Sequence, residues 1–580
     1  MKGFWNRLLR IDLGRRSFRT EPLSDDLLAR TLGGKGLGTA LLMKENPPGV
    51  DPLSPGNRFI LATGPVTGTR MWGQSRFAAF SKSPATGGFA ESYCGGTAAS
   101  RIKGCGVDAV ILEGRSPGLT FLAVDEKGVA FGDAAAWTGW DTARTEEALL
   151  AASPPGARAL TIGPAGEKLV RLACIKSDRW RSLGRCGLGA VLGAKNVKGI
   201  SFAGRLEAAI ADPQGMRRAV RAIARVGRSH PATALYRKYG TPMQVAVTNG
   251  QDCFPTRYWT SGHFAAWENL SADYMLANFD VVSRGCPNCF LQCTKLCRVR
   301  RGRHAGLELE GPEYETIYAL GGLNGVDSLE EVAWLNDLCD KLGLDTMSAG
   351  NVSAFAVEAR RRGRLDWDID YNQPDRMAEL FGLIATGRGV GAVLGQGVRR
   401  AGVELGCEDL AVHVKGLEPA GFDPRVLKGM ALSYATAARG ACHLRGTFYK
   451  AELSGLVDRD LIPGKARHVV DYEDRAALFD SLILCRFFRD IVQWDELATI
   501  IAAATGLSCS RTDLERLANG MTQEARAFNA REGLGPEADR LPERLLREPT
   551  AEGASLRPAE MAAMLAEYNA IRSGRGTLAA

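Results

Sequence analysis

Long apolar runs are missing from this sequence. Stretches such as Ala109–Leu112 and Ile500–Ala504 fall far short of the roughly 20 residues that a membrane-crossing helix needs, so no membrane span is expected. The opening MKGFWNRLLR has neither an apolar core nor a small-residue cleavage site, which predicts no secretory signal and a cytoplasmic protein. Histidine is scarce, six in 580 residues, and no second cysteine or histidine pair stands at zinc-finger spacing. Aromatic residues do not interleave with the basic ones, and a net charge of +8 is modest for the length, so nucleic acid is not an expected partner. No repeat or low-complexity tract occurs. Fourteen cysteines are too few and too uneven for a disulfide framework; without an export signal they point to metal binding or catalysis. Those standing singly, from Cys94 to Cys509, are expected to be small buried residues.

What is present is a 45% hydrophobic, 24% charged chain, ordinary for a globular enzyme and long enough for about two to four domains. The first two hundred residues read as strand and turn. "NRLLRIDLGRRSFRTEPL" is a hairpin pattern around Gly14, and "LTFLAVDEKGVAFGDA" repeats it around "DEKG". "RFILATGPVTG", "RFAAFSKSP" and "VDAVILEG" are further strands, with helices near Ala98–Lys103 and Thr142–Ala152. Around Glu207 the character changes, and 3.6-residue periodicity dominates "DPQGMRRAVRAIARV", "SLEEVAWLNDLCDKLG", "NVSAFAVEARRRG", "RAALFDSLILCRFFRD" and "TDLERLANGMTQEARAFNAREG". "DRMAELFGLIATGRGVGAVLGQGVRRAG" reads as two helices broken at glycines. The expected fold class is α+β: an antiparallel β-rich N-terminal domain (residues 1–206), then mainly helical domains at 207–410 and 411–580.

The richest local signal is "RGCPNCFLQCTKLCRVRRGRH". Cys286, Cys289, Cys293 and Cys297 have spacing C-x2-C-x3-C-x3-C, and clustered thiolates bind zinc or an iron–sulfur cluster. Pro287 suits a first helical turn. On a helix starting there, Cys289 and Cys297 lie about 12 Å apart along the axis, too far for one centre. Three local ligands with a fourth from elsewhere are therefore expected, unless the segment curls into a loop. Arg298, Arg300, Arg301 and Arg303 follow at once. Beside a redox centre they would steer an acidic electron carrier; otherwise they form a solvated face.

"CPNCFLQC", "GPEYET" (Gly311–Thr316), "DKLGLD" (Asp340–Asp345), "RGACH" (Arg439–His443) and "DSLILC" (Asp480–Cys485) occur in this order. Together with "RFAAFSKSPATGG" and "GRCGLGAVLGAKNVKGI", they resemble the aldehyde ferredoxin oxidoreductase family over nearly the whole chain. The resemblance implies a β base on which the cofactor lies and two helical domains closing over it. It also implies tungsten (or molybdenum) held by two pterins, a [4Fe–4S] cluster, and magnesium bridging the pterin phosphates. The implied reaction oxidises an aldehyde to its acid with water, electrons leaving singly to ferredoxin or a dedicated Fe–S electron-transfer subunit. Related members reduce aromatic acyl-CoA thioesters, and a zinc-stabilised binding protein is the rival of another class. An oligomer is compatible with all of these.

Carried over residue by residue, the resemblance implies Cys286, Cys289, Cys293 and Cys485 as cluster ligands. It implies Asp340, Leu344, Asp345, Asp480 and Leu484 as pterin contacts, with Arg76, Arg185, Gly95 and Gly187 near the phosphates. Glu315 is the implied base, and His443 a hydrogen-bond or proton-relay partner to the carbonyl oxygen. Glu313 reads as a first-turn residue complementing the helix dipole. Three departures stand out: Ile483 where the family has glycine, Phe422 where many relatives have tyrosine, and Tyr93 where a short polar residue is usual. Phe422 would make the pocket less polar and favour apolar aldehydes.

Overall fold

The computed structural model describes residues 1–574. Its first sheet holds Arg7–Asp12 (β1), Ser17–Pro22 (β2), Phe59–Ala62 (β3), Phe77–Lys82 (β4), Phe89–Cys94 (β5) and Ala109–Glu113 (β6), in the order β2-β1-β6-β3-β4-β5. The second holds Thr120–Asp125 (β7), Gly128–Asp133 (β8), Arg158–Thr161 (β9), Ile175–Ser177 (β10), Arg181–Leu183 (β11) and Val197–Phe202 (β12), in the order β11-β10-β9-β12-β7-β8. The hairpins β1–β2 and β7–β8 and the helices Ala98–Lys103 and Thr142–Ala151 lie where the sequence pattern puts them. The expected purely antiparallel domain is corrected: β1 pairs parallel with β6, and β12 parallel with β7.

Period-two alternation explains the packing. Phe59, Leu61, Phe77, Ala79, Val110 and Leu112 share a core with Leu122, Leu160, Ile175 and Ile200 of the second sheet. The alternate residues Ile60, Ala62, Ala78, Phe80 and Ile111 pack with Leu37, Leu41 and Leu42 of the helix Gly34–Glu45. β3, β4 and β5 are thus buried on both faces, which removes the polar alternation that betrays a strand.

From residue 213 onward helices dominate, several with side-chain N-caps: Asp212, Ser328, Asp345 and Ser510 each accept from the first turn of the helix that follows. The stretch read as two helices at 375–402 falls in three, Pro374–Thr386, Val390–Leu394 and Val398–Leu405, because Gly389 and Gly397 both sit at positive φ. The expected helix after Pro287 does not form. Phe279–Arg284 (β13), Thr294–Val299 (β14) and Glu308–Glu310 (β15) make a small antiparallel sheet, and the cysteines occupy the β13–β14 connection. Asn288 and Gln292 stand at φ 51° and 47° within it, a left-handed geometry no helix tolerates.

Gly64, just past β3, seats the end of the helix Lys465–Leu482 against this base: a Cβ there would lie 2.5 Å from the Leu482 carbonyl oxygen. Gly64→Ala is expected to destabilise the protein by about 1–3 kcal/mol through overpacking, read as a lowered melting temperature. An unchanged Tm would show that this contact is slack.

Candidate active site

Two motifs fold identically. The helix Leu329–Leu342 ends at Gly343 (φ 74°), and the Leu344 N–H closes back on the Cys339 carbonyl at 2.8 Å. The helix Lys465–Leu482 ends at Ile483 (φ 62°), and the Leu484 N–H closes on the Phe479 carbonyl at 2.8 Å. In both, an aspartate sits in the last helical turn, a left-handed residue three positions on, and a functional residue at position five. Asp340 accepts from Lys176 and from Asn336 at 3.1 Å. Asp480 accepts from Arg445 at 2.6 Å and from Arg486. Burial raises the Asp340 pKa despite Lys176, whereas Arg445 and Arg486 overcome burial and lower that of Asp480.

The left-handed turn at Ile483 ends the helix read through "DSLILC" and delivers Cys485 to the cysteine loop. Cys286, Cys289, Cys293 and Cys485 line one cavity of about 260 Å³. Cys297 is not among them. It sits on β14 opposite Val281 and Leu309, wholly buried in the helical core. Burial and the neighbouring thiols push the Cys289 thiol up to about 12 and raise those of Cys293 and Cys485. Among the described residues no three Cys, His, Asp or Glu side chains close around a single metal ion. The four cysteines share the lining of one cavity.

Glu315 and His443 line the same cavity. Glu315 stands in the first turn of the helix Tyr314–Leu320, and its Oε2 accepts from the Gly421 N–H at 2.9 Å. Its Oε1 faces His443 Nε2 at 3.4 Å yet makes no hydrogen bond, and His443 Nδ1 is also unpartnered. Burial pushes the Glu315 carboxyl up to about 8. Burial, with Arg439, Arg185, Arg445 and Arg486 around it, holds His443 well below its ordinary pKa and so neutral. Glu313 is the helix N-cap rather than a first-turn residue; it bonds Thr241 and lines the cavity. Phe422 stacks on Tyr449 at 4.0 Å in the cavity wall.

A second cavity of about 300 Å³ shares Gly95, Arg181, Cys293, Glu313 and Phe487 with the first and carries Asp340, Leu344 and Asp345. Together they form a continuous bed above the sheets, and their donors fit a pterin on the Asp340 side. Gly95 lies against Cys286, whose Sγ a Cβ there would touch at 3.4 Å. On the Asp480 side only about 30 Å³ is open, because Arg445 and Arg486 lie on the aspartate. A pterin there would take over these guanidiniums, and Arg445 Nε and Arg439 Nε are buried without acceptors.

Arg76 lines the first cavity and lies over the Tyr93 ring, whose hydroxyl donates to Glu91 at 2.6 Å. Arg185 and Gly187, expected near the phosphates, are engaged within the protein. The Arg185 fork is consumed by Asp345 at 3.0 Å, the Glu418 carbonyl at 2.9 Å and Ser348, and it lines neither cavity. Gly187 is a glycine because a Cβ would lie 2.7 Å from the Arg171 carbonyl oxygen and from Pro84. Leu484 is buried with its N–H bound to Phe479, outside the cavity linings. Sequence reading missed Lys176, Arg445, Arg486 and Glu91, and it missed Cys442. Despite burial, Arg439 and Arg445 bring the Cys442 thiol down to about 7, and it accepts from Arg439 at 2.8 Å behind His443.

A buried bed with a four-thiol wall and an acid–histidine pair belongs to the class of cofactor-bearing oxidoreductases, and the comparisons agree. The sequence profile of the aldehyde ferredoxin oxidoreductase N-terminal domain matches residues 8–204, and that of domains 2 and 3 matches residues 218–573. The tungsten-containing aldehyde ferredoxin oxidoreductase of Pyrococcus furiosus is 33% identical over 567 residues, 95% of this chain and 93% of its own. That of Thermococcus kodakarensis is 33% identical over 569 residues, with the same coverage. A WOR-like subunit of a Pyrococcus furiosus aliphatic sulfonate oxidoreductase is 26% identical over 526 residues, 84% of this chain and 80% of its own. The active site complex BamBC of benzoyl coenzyme A reductase with 1,5-dienoyl-CoA has TM-score 0.85 and 21% identity, covering 99% of this chain and 95% of the matched one, a likeness of fold. The chain belongs to the aldehyde ferredoxin oxidoreductase family.

Cys485→Ser is expected to lower bound iron and to change the visible spectrum of anaerobically prepared protein. Cys297→Ser is expected to leave both intact and to cost only stability. The reverse pattern would return Cys297 to the ligand set.

Proposed function

We propose that the chain oxidises an aldehyde to its carboxylic acid, RCHO + H2O → RCOOH + 2 H+ + 2 e−, with a tungsten or molybdenum bis-pterin centre and magnesium as the cofactors that the bed would hold. Cys286, Cys289, Cys293 and Cys485 would hold a [4Fe–4S] cluster, which would supply one-electron transfer to ferredoxin or an Fe–S subunit. The carrying observation is the pair of buried, unpartnered atoms Glu315 Oε1 and His443 Nδ1, facing a cavity walled by those cysteines. Leaving such atoms unsatisfied costs about 1–3 kcal/mol each, which suits groups held for a substrate and its water. When bound, the metal centre supplies the two-electron acceptor. The chain supplies the proton handling. Gly421 fixes Oε2, so Oε1 takes the proton of the attacking water, and neutral His443 donates to the carbonyl oxygen as charge develops there.

The lining also indicates the substrate. Beyond Tyr236, Gln244 and Tyr449 the cavity meets another of about 470 Å³, lined by Leu235, Met243, Ala246, Val247 and Leu453. An alkyl or aryl tail fits this path, with the aldehyde carbon at Glu315.

Glu315→Gln is expected to lower kcat about 10²–10⁴-fold with both cofactors loaded. Wild-type kcat/KM should rise with pH through about 8 as the base ionises. Stability has the opposite sign: between the unfolded value of 4.5 and about 8 the unfolded chain releases a proton that the folded chain keeps. Glu315→Gln should therefore melt progressively higher than wild type across that window. Viologen reduction with n-alkyl aldehydes should improve up to about fourfold per methylene, given about 0.8 kcal/mol per buried CH2. Turnover of benzoyl-CoA but of no aldehyde would overturn the reading.

A further inference from the structure

Of the arginines behind the cysteine loop, Arg300 and Arg303 are paired, while Arg298 and Arg301 are exposed without an ion pair among the described residues. Arg300 pairs with Asp280 at 2.8 Å, Arg303 pairs with Glu331 and Asp375, and Arg298 lies between Asp280 and Glu308 in the strand register. A different ridge is left uncompensated. The helix Pro213–Ser229 buries Met216, Ala219, Ile223 and Gly227 and turns Arg217, Arg221, Arg225 and Arg228 to solvent. At 100° per residue these four fall within a single 80° sector, and they span about 16 Å of axis. None has a carboxylate within ion-pair distance among the described residues; only Arg218 is paired, with Asp212.

The ridge runs to the cysteine loop. Phe290, next to Cys289, packs on this helix, where a Cβ on Gly227 would lie 2.4 Å from its ring. Trp72 bridges the two: its Nε1 donates to the Val220 carbonyl at 2.9 Å, its ring meets Phe290 at 5.1 Å, and Arg228 lies over it at 5.5 Å. Arg237, on the helix Pro231–Tyr239, donates to the Phe290 carbonyl at 2.8 Å. Gly285, Pro287 and Asn288 of the loop are exposed, so the cysteines come to the surface at the foot of the ridge. Val226 and Val282, 54% and 56% exposed, lie on the same helix and on β13.

We infer that the Arg217–Arg228 ridge and the cysteine loop at its foot form the docking face for an acidic iron–sulfur protein that takes the electrons. This rests on the proposed electron exit through Cys286, Cys289, Cys293 and Cys485. Charge complementarity commits the face to an acidic partner, since four exposed guanidiniums repel a basic one and speed the approach of an acidic one.

The test is binding, which needs no substrate. Titration of the holoenzyme with a purified acidic [4Fe–4S] ferredoxin, at about 20 and 300 mM salt, reads affinity and its screening. Arg221→Glu/Arg225→Glu is expected to raise Kd at low salt at least tenfold and to flatten the salt dependence. Arg298→Glu/Arg301→Glu should stay within twofold of wild type. Aldehyde-dependent methyl viologen reduction should be unchanged in both, since a small acceptor needs no docking face. Ferredoxin binding that is absent, insensitive to salt or lost only in the Arg298/Arg301 variant overturns the inference. Failure of viologen reduction in wild type with intact ferredoxin binding would strike the aldehyde reading alone.

Discussion

Gly73 ties three remote segments together. Its carbonyl accepts from the Cys485 N–H at 2.9 Å and its N–H donates to the Asn288 carbonyl at 3.2 Å, while Ser75 donates to the Pro287 carbonyl at 2.7 Å. The β base, the cysteine loop and the end of a C-terminal helix meet there. A Cβ on Gly73, at φ 75°, would lie 2.8 Å from the Phe488 ring and 3.3 Å from the Cys485 Cβ. Without this junction Cys485 has no reason to face Cys286, Cys289 and Cys293, and the cavity loses a wall. Backbone bonds do the positioning, leaving the thiols free for a ligand.

The same economy recurs at both helix ends. A left-handed residue turns the chain so that the aspartate stays on the helix and the residue five positions later points elsewhere. Gly343 does this without strain, but Ile483 is β-branched and stands where such side chains are rarely found. Its wholly buried side chain offsets that strain by filling the space beside Gly34. Around Asp480 lies a buried network in which Glu91 takes Lys35 at 2.8 Å, Arg445 at 2.8 Å and the Tyr93 hydroxyl. Ion pairs so dry are weak contributors to stability, while removing one partner is costly, so this cluster is better understood as a fixed electrostatic floor.

Much of this was legible in the sequence, unevenly. The strands β1, β2, β7 and β8 announce themselves because each hairpin is closed by a polar turn and carries an exposed or half-exposed strand, β2 in one and both β7 and β8 in the other. β5, FAESYC, does not: unlike the equally buried β3 and β4, it carries polar Glu91 and Ser92 in its middle, which break the apolar run that marks a buried strand. The remote fourth cysteine was expected from helix geometry, yet no helix forms; Cys297 is excluded because β14 carries it into the core. Glu315 and His443 were found by motif resemblance, whereas Lys176, Arg445 and Arg486 were invisible. They are cations whose partners lie 35 or more residues away or at the end of another helix, and no local spacing marks such pairs. The carboxylates beside Arg185, Asp345 and Glu418, were equally invisible, because they lie more than 150 residues away.

Metal content tests the central claim most directly. Holoenzyme purified without oxygen should contain about four iron atoms and one tungsten or molybdenum atom per 62.3 kDa chain, with brown colour that bleaches on oxidation. A colourless protein with one zinc and neither iron, tungsten nor molybdenum would contradict it.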